Sequence, residues 1–177
     1  MSIYQHDRVL YVVGPLTIES VAPLILQLLA LDDDSGLPLH LYLTSPGGDA
    51  LAALALIDVM RHVQTPVHTY ALGLCASAAL YVVAAGEPGF RYALPNAWCM
   101  SHGGVTTAEG RLGELQARAG HFRQVDDSLV RILAETTKYK VPFWRKKCRT
   151  ETWFSSREAL EAGIVDQVLS PETRRSE

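Results

Sequence analysis

Three short, largely apolar runs, the first rich in β-branched and aromatic residues, each stop at a glycine, proline or serine turn, and each turn leads at once into a stretch with helical character. Arg8–Val13 stops at Gly14-Pro15, Leu39–Leu43 enters Ser45-Pro46-Gly47-Gly48, and Val67–Leu72 enters the segment Gly73 to Ser77. Strand followed by turn and helix, repeated three times, constrains the chain to an α/β fold with mostly parallel pairing. The helices carry their own boundary signals. Thr17 can cap a helix running to about Leu31, with Glu19 in its first turn, and Asp32-Asp33-Asp34-Ser35-Gly36 ends it. Asp49 opens an Ala/Leu-rich helix to about His62, and Ser77 begins another to Ala85. Tyr92–Trp98 reads as extended around Pro95. From Ala108 to Thr137 the apolar positions Leu112, Leu115, Phe122, Val125, Leu129 and Ile132 recur near helical spacing, predicting a long charged helix that projects from the body. Ser156–Ala162 is a short helix stopped by Gly163, and Ile164–Leu169 is the last strand. The tail, 170–177, is expected to fray.

Composition narrows the function classes. The 177 residues predict one domain spanning 1–177, and 48% hydrophobic with 20% charged residues is a globular balance. A net charge of −3 gives no basic surface for nucleic acid. No apolar run reaches the length of a membrane span. The polar start Met1–Arg8 has no signal-peptide core. Three cysteines, Cys75, Cys99 and Cys148, make neither a paired framework nor a metal spacing, so the expectation is a cytoplasmic protein with no cofactor and no metal.

Chemistry enters with the turns. Ser77 lies where a strand ends and a helix begins, in Gly73-Leu74-Cys75-Ala76-Ser77-Ala78-Ala79. His102 closes the segment Leu94-Pro95-Asn96-Ala97-Trp98-Cys99-Met100-Ser101-His102. Gly47-Gly48 supplies a turn whose backbone can approach a ligand and present an N–H. A nucleophile, a base and free backbone donors are the parts of a serine hydrolase. Each part also has a plainer reading: a helix N-cap serine, an ordinary turn, one histidine among six. The segment is not the Gly-x-Ser-x-Gly elbow, because Cys75 and Ala79 flank Ser77 at two positions.

Order and spacing carry more than any single motif. Ser45-Pro46-Gly47-Gly48, Gly73–Ala79, Leu94-Pro95-Asn96 leading to Met100-Ser101-His102, and Phe154-Ser155-Ser156-Arg157-Glu158-Ala159 leading to Gly163-Ile164-Val165-Asp166 together resemble the ClpP family, the proteolytic subunits of Clp protease. The likeness runs from about Arg8 to Leu169, and the 25-residue interval from Ser77 to His102 agrees with it. It implies a ClpP/crotonase-like fold of repeated strand-strand-helix units, with 108–137 as a projecting handle helix. It implies a serine endopeptidase of a ring-shaped protease that hydrolyses peptides and unfolded proteins. Position by position, Ser77 matches the nucleophile, His102 the general base, and Gly48 and Ala78 the two oxyanion donors. Glu151, 49 residues after His102, stands where the family has its third, acidic member, an aspartate.

The resemblance also implies a homo-oligomer of heptameric rings stacked as a tetradecamer, or a mixed ring with a paralogue. A Clp-type AAA+ unfoldase would dock on a pocket retained in part at Tyr42, Tyr70, Leu72, Tyr92 and Leu169, with His40 and His62 where aromatics are common. The chain departs from the family at Glu151, at Thr150 in place of a ring-contact arginine, and at Gly103-Gly104 after the histidine, and the few residues before the first strand give the expectation of a reduced axial loop. These departures support an alternative, a catalytically silent structural or regulatory subunit assembling with an active paralogue. An acyl-CoA enzyme of crotonase type is a third reading, and the Ser–His pair weighs against it.

Overall fold

The computed structural model describes residues 5, 6, 8–33 and 35–170, the first two by backbone alone. The tail 171–177 lies outside the described residues. In chain order the elements are β1 (Gln5–His6), β2 (Val9–Val13), α1 (Ile18–Ala30), β3 (Leu39–Ser45), α2 (Ala50–His62), β4 (Val67–Ala76) and α3 (Ala78–Ala84). They continue with β5 (Arg91–Ala93), β6 (Trp98–Ser101), α4 (Leu112–Thr136), α5 (Val141–Lys147), β7 (Thr152–Ser155), α6 (Ser156–Ala162) and β8 (Gln167–Val168).

The sheet runs β1-β2-β3-β4-β5-β8, and β2, β3, β4, β5 and β8 pair in parallel. β1 joins β2, and β7 joins β6, antiparallel. β4 is shared. Its first half pairs with β5 and its second half, Leu74–Ala76, pairs with β6. The fork coincides with Gly73, at φ +53°, and with a register break against β3 between Leu43 and Ser45. A bulge of this kind bends a strand and re-aims the residues beyond it.

Local chemistry sets the helix ends. Thr17 and Ser20 cap α1 reciprocally, at 3.2 and 2.8 Å. Asp49 caps α2 by accepting from Leu51 and Ala52. Gly163 ends α6 in the left-handed region at φ +79°. Leu10, Val12, Leu41 and Leu43 of the sheet pack with Leu24 and Leu28 of α1, Leu56 and Ile57 of α2, and all of α3 in one core. The first half of α4 is exposed, whereas its last turns bury Leu129, Val130, Ile132 and Leu133. This is the α/β, ClpP/crotonase-like architecture with a handle helix.

Several boundaries differ from the sequence reading. The segment 92–98 is not one extended run. Ala97 donates to the Leu94 carbonyl across a Pro95-Asn96 turn, so β5 and β6 are separate strands that attach to different halves of β4. The handle begins at Leu112, because 103–110 carries three glycines and forms a loop. The last strand shrinks to Gln167–Val168, since Asp166 turns inward to Arg91. α5, β7 and β1 are additional elements. No helix among the described residues is long and apolar enough to cross a membrane.

Candidate active site

β4 and β6 run side by side in parallel, with Cys75 opposite Cys99 and Ala76 opposite Met100. Their carboxyl ends therefore deliver the next residues, Ser77 and His102, to one place. Open parallel sheets present ligands with side chains at this end. The Ser77 N–H donates to the Met100 carbonyl at 2.8 Å and locks the two ends together.

Ser77 has φ +53° and ψ −124°, and is the one non-glycine residue with positive φ among the described residues. Such a conformation costs on the order of 1–3 kcal/mol and persists only where its surroundings impose it. It excludes the plain N-cap reading, because the side chain makes no cap bond to α3. Instead Ser77 Oγ lies 2.8 Å from His102 Nε2. That distance lets the imidazole take the hydroxyl proton.

The glycine turn is packed directly against the serine. A Cβ on Gly47 would fall 2.6 Å from the Ala76 carbonyl oxygen and from Ser77 Cβ, and 2.8 Å from the Ala78 nitrogen. A Cβ on Gly48 would fall 2.1 Å from the Leu16 carbonyl oxygen. The neighbouring amides of this turn are engaged: Gly47 N–H donates to Ser45 Oγ at 3.0 Å, and Asp49 N–H to the Leu16 carbonyl at 2.8 Å. Gly48 N–H between them has no acceptor among the described residues, and neither has Ala78 N–H at the first position of α3. Both residues line one cleft of about 410 Å³ with Ser77 and His102. Unspent donors beside an activated hydroxyl are what an oxyanion requires.

Glu151 is not joined to this pair. β6 and β7 are antiparallel and their pairing ends at Ser101 opposite Thr152, next to His102 and Glu151 in the chain. Its side chain is exposed and makes no hydrogen bond or ion pair among the described residues. His102 likewise has Ser77 as its hydrogen-bond partner and no other there. Sequence reasoning missed Asp126, which enters the cleft from α4 and accepts the Gly104 N–H at 3.0 Å, two residues beyond the histidine. Its one signal in the sequence is an acid at position 126 directly after Val125, an apolar position of the helix.

The nearby thiols are not rival nucleophiles. Burial pushes Cys75 up and Cys99 up to about 12, so both remain protonated at neutral pH. Burial also raises Cys148 and Tyr81, whose sulfur and hydroxyl meet behind the site.

On the sheet, Tyr42, Tyr70 and Tyr92 occupy matched register positions on β3, β4 and β5. Their rings stack at 4.1 and 4.7 Å between centroids, and Tyr11 extends the row at 5.4 Å from Tyr42. Leu72 lies two residues beyond Tyr70 on β4, and Leu169 follows β8 and donates its N–H to the Ala93 carbonyl. His40 Nδ1 is 2.8 Å from the Tyr70 hydroxyl, and His68 stacks on Phe90 at 4.3 Å. His62 sits exposed at the end of α2 and makes no ring contact among the described residues, so His68 rather than His62 accompanies His40.

A strained serine bonded to a histidine at the carboxyl edge of a parallel sheet, with free amides beside it, is the equipment of a serine hydrolase. The sequence matches the family model described as Clp protease over residues 1–172. The chain belongs to the Clp protease family.

Proposed function

We propose that this chain is a serine endopeptidase subunit of a ring-shaped Clp-type protease, acting on peptides and unfolded proteins. His102 Nε2 takes the Ser77 proton as Oγ attacks a peptide carbonyl. The oxyanion is held by the N–H groups of Gly48 and Ala78. The protonated imidazole then gives its proton to the leaving amine, and water hydrolyses the acyl-enzyme with His102 again as base. The 2.8 Å Ser77–His102 contact carries this reading, and the unspent Gly48 amide supports it.

Glu151 is the group proposed to orient His102. A glutamate spans one methylene more than an aspartate, and Glu151 and His102 directly adjoin Thr152 and Ser101, the last paired residues of β7 and β6. The proposal needs the exposed Glu151 side chain to turn inward to the imidazole, an adjustment that ring assembly would favour by excluding water from the site. The rings are proposed to be seven-membered and paired, as homo-oligomers or with a paralogue. The Tyr42–Tyr70–Tyr92 row is the proposed dock for an AAA+ unfoldase, with Leu72 and Leu169 beside it. A cytoplasmic setting accompanies this reading.

Hydrolysis of a fluorogenic peptide by the purified, assembled protein tests it. Ser77→Ala is expected to lower the rate by at least three orders of magnitude. An unchanged rate would refute the assignment. The exposed, unpaired Glu151 favours a second reading, a silent subunit within a mixed ring. That reading expects no hydrolysis by the pure chain and recovery of an active paralogue in the same particle.

A further inference from the structure

The cleft beside Ser77 has a mostly apolar wall with one under-used acid in it. Leu51, Ala78, Tyr81, Phe122, Val125 and Leu129 supply the apolar surface. Two carboxylates reach the same cleft. Asp49 is committed to α2, its Oδ1 accepting from Leu51 and Ala52 at 2.7 and 3.0 Å. Asp126 uses Oδ1 for the Gly104 N–H, and its Oδ2 has no partner among the described residues. The adjacent Asp127 pairs with Arg145 at 2.9 Å, whereas Asp126 makes no ion pair there. His121 and Arg123, both exposed on α4, also line the cleft, and neither forms a hydrogen bond or ion pair with Asp126, so the Arg123 cation stays in solvent and leaves Asp126 Oδ2 open. The Gly104 bond fixes where this acid sits, two residues past the base.

A half-buried carboxylate with a spare oxygen is stabilised by whatever donor enters the cleft, and a cation serves it better than a neutral group. An apolar wall with one acid matches a side chain that has an aliphatic stem and a cationic tip, which buries its methylenes and keeps its charge at a polar site. We infer that this cleft selects a lysine or arginine side chain of the bound peptide, with Asp126 Oδ2 as the acceptor. The inference rests on the peptidase reading only for what the cleft is for. The recognition itself is a binding property and does not need turnover.

The test therefore uses the assembled Ser77→Ala protein and fluorescence anisotropy. Two labelled peptides differ at a single position, arginine in one and norleucine in the other. The arginine peptide is expected to bind at least fivefold more tightly, with the margin shrinking at high salt. Adding Asp126→Asn is expected to abolish the margin and to hold norleucine affinity within twofold, because the amide oxygen still accepts from Gly104. Equal affinities in the Ser77→Ala protein, a margin that survives Asp126→Asn, or no binding of either peptide would each overturn the inference. Fluorophosphonate labelling of the unmutated protein reports separately on the peptidase reading. A missing adduct with an intact arginine margin would sink that reading and leave the selectivity standing.

Discussion

Replacing Asp166 with asparagine removes the charge from a carboxylate that accepts four hydrogen bonds. Asp166 Oδ1 accepts from Arg91 Nη2 at 2.6 Å, and Oδ2 accepts from Arg91 Nε at 2.8 Å, from Gly89 N at 2.9 Å and from Arg91 N at 3.1 Å. Arg91 Nη1 donates onward to the carbonyls of Ala84 and Thr136 at 3.1 and 2.6 Å. One guanidinium thus ties β5 to the ends of α3 and α4 and to the entry of β8. The arginine side chain is 8% exposed and the aspartate 21%. Removing one partner of a fully buried pair costs about 3–5 kcal/mol. Solvent reaches this aspartate, so the cost is set lower, at about 2–3 kcal/mol. With a urea slope of about 2 kcal/mol per molar, the midpoint falls by about 1 M or more. Urea titration read by fluorescence of the buried Trp144 measures this.

The pH course has a definite sign. Burial works to raise the Asp166 carboxyl, but the Arg91 side-chain and backbone bonds outweigh it and hold the group below the usual aspartate value. A depressed carboxylate contributes stability that is complete above its unfolded value of about 3.9 and is lost as pH falls through the folded value. The gap between the two proteins is therefore widest at neutral pH and closes below about pH 4. A gap under about 0.5 kcal/mol at pH 7, or one that does not change on acidification, would refute the reasoning.

Other perturbations read other parts of the account. Glu151→Ala is expected to lower peptidase kcat/KM by well over tenfold if Glu151 orients His102, and an unchanged value would remove it from the mechanism. Gly47→Ala places a Cβ against the Ser77 turn at φ +92°, so labelling and hydrolysis should fall by about a hundredfold or more; near-normal rates would mean that the turn does not position the serine. Thr17→Ala deletes the α1 cap and should cost about 1 kcal/mol in urea titrations with hydrolysis unchanged.

The elements legible in the sequence are those whose ends carry local chemistry. Thr17, Asp49 and Gly163 bound their helices where the residue types place them. The elements that escaped depend on distant partners. β7 is four residues long and exists because β6 pairs with it. α5 has Pro142 in its first turn and a basic last turn, and it is held by Trp144, whose Nε1 donates to Thr137 Oγ1 at 2.8 Å. The pairing of Ser77 with His102 is readable as a spacing, but the backbone strain at Ser77 and the single unspent amide in the glycine turn arise from packing between the ends of β2, β3 and β4. Asp126 is hidden because a charged residue on a long helix ordinarily faces solvent.

The central claim is that Ser77 is a nucleophile activated by His102. Intact-mass analysis after fluorophosphonate treatment tests it most directly, on the unmutated protein beside Ser77→Ala and His102→Ala. The account predicts a single adduct on the unmutated protein, none on Ser77→Ala, and labelling at least a hundredfold slower on His102→Ala. An adduct that persists in Ser77→Ala, or a folded, assembled protein that takes no label, would contradict it.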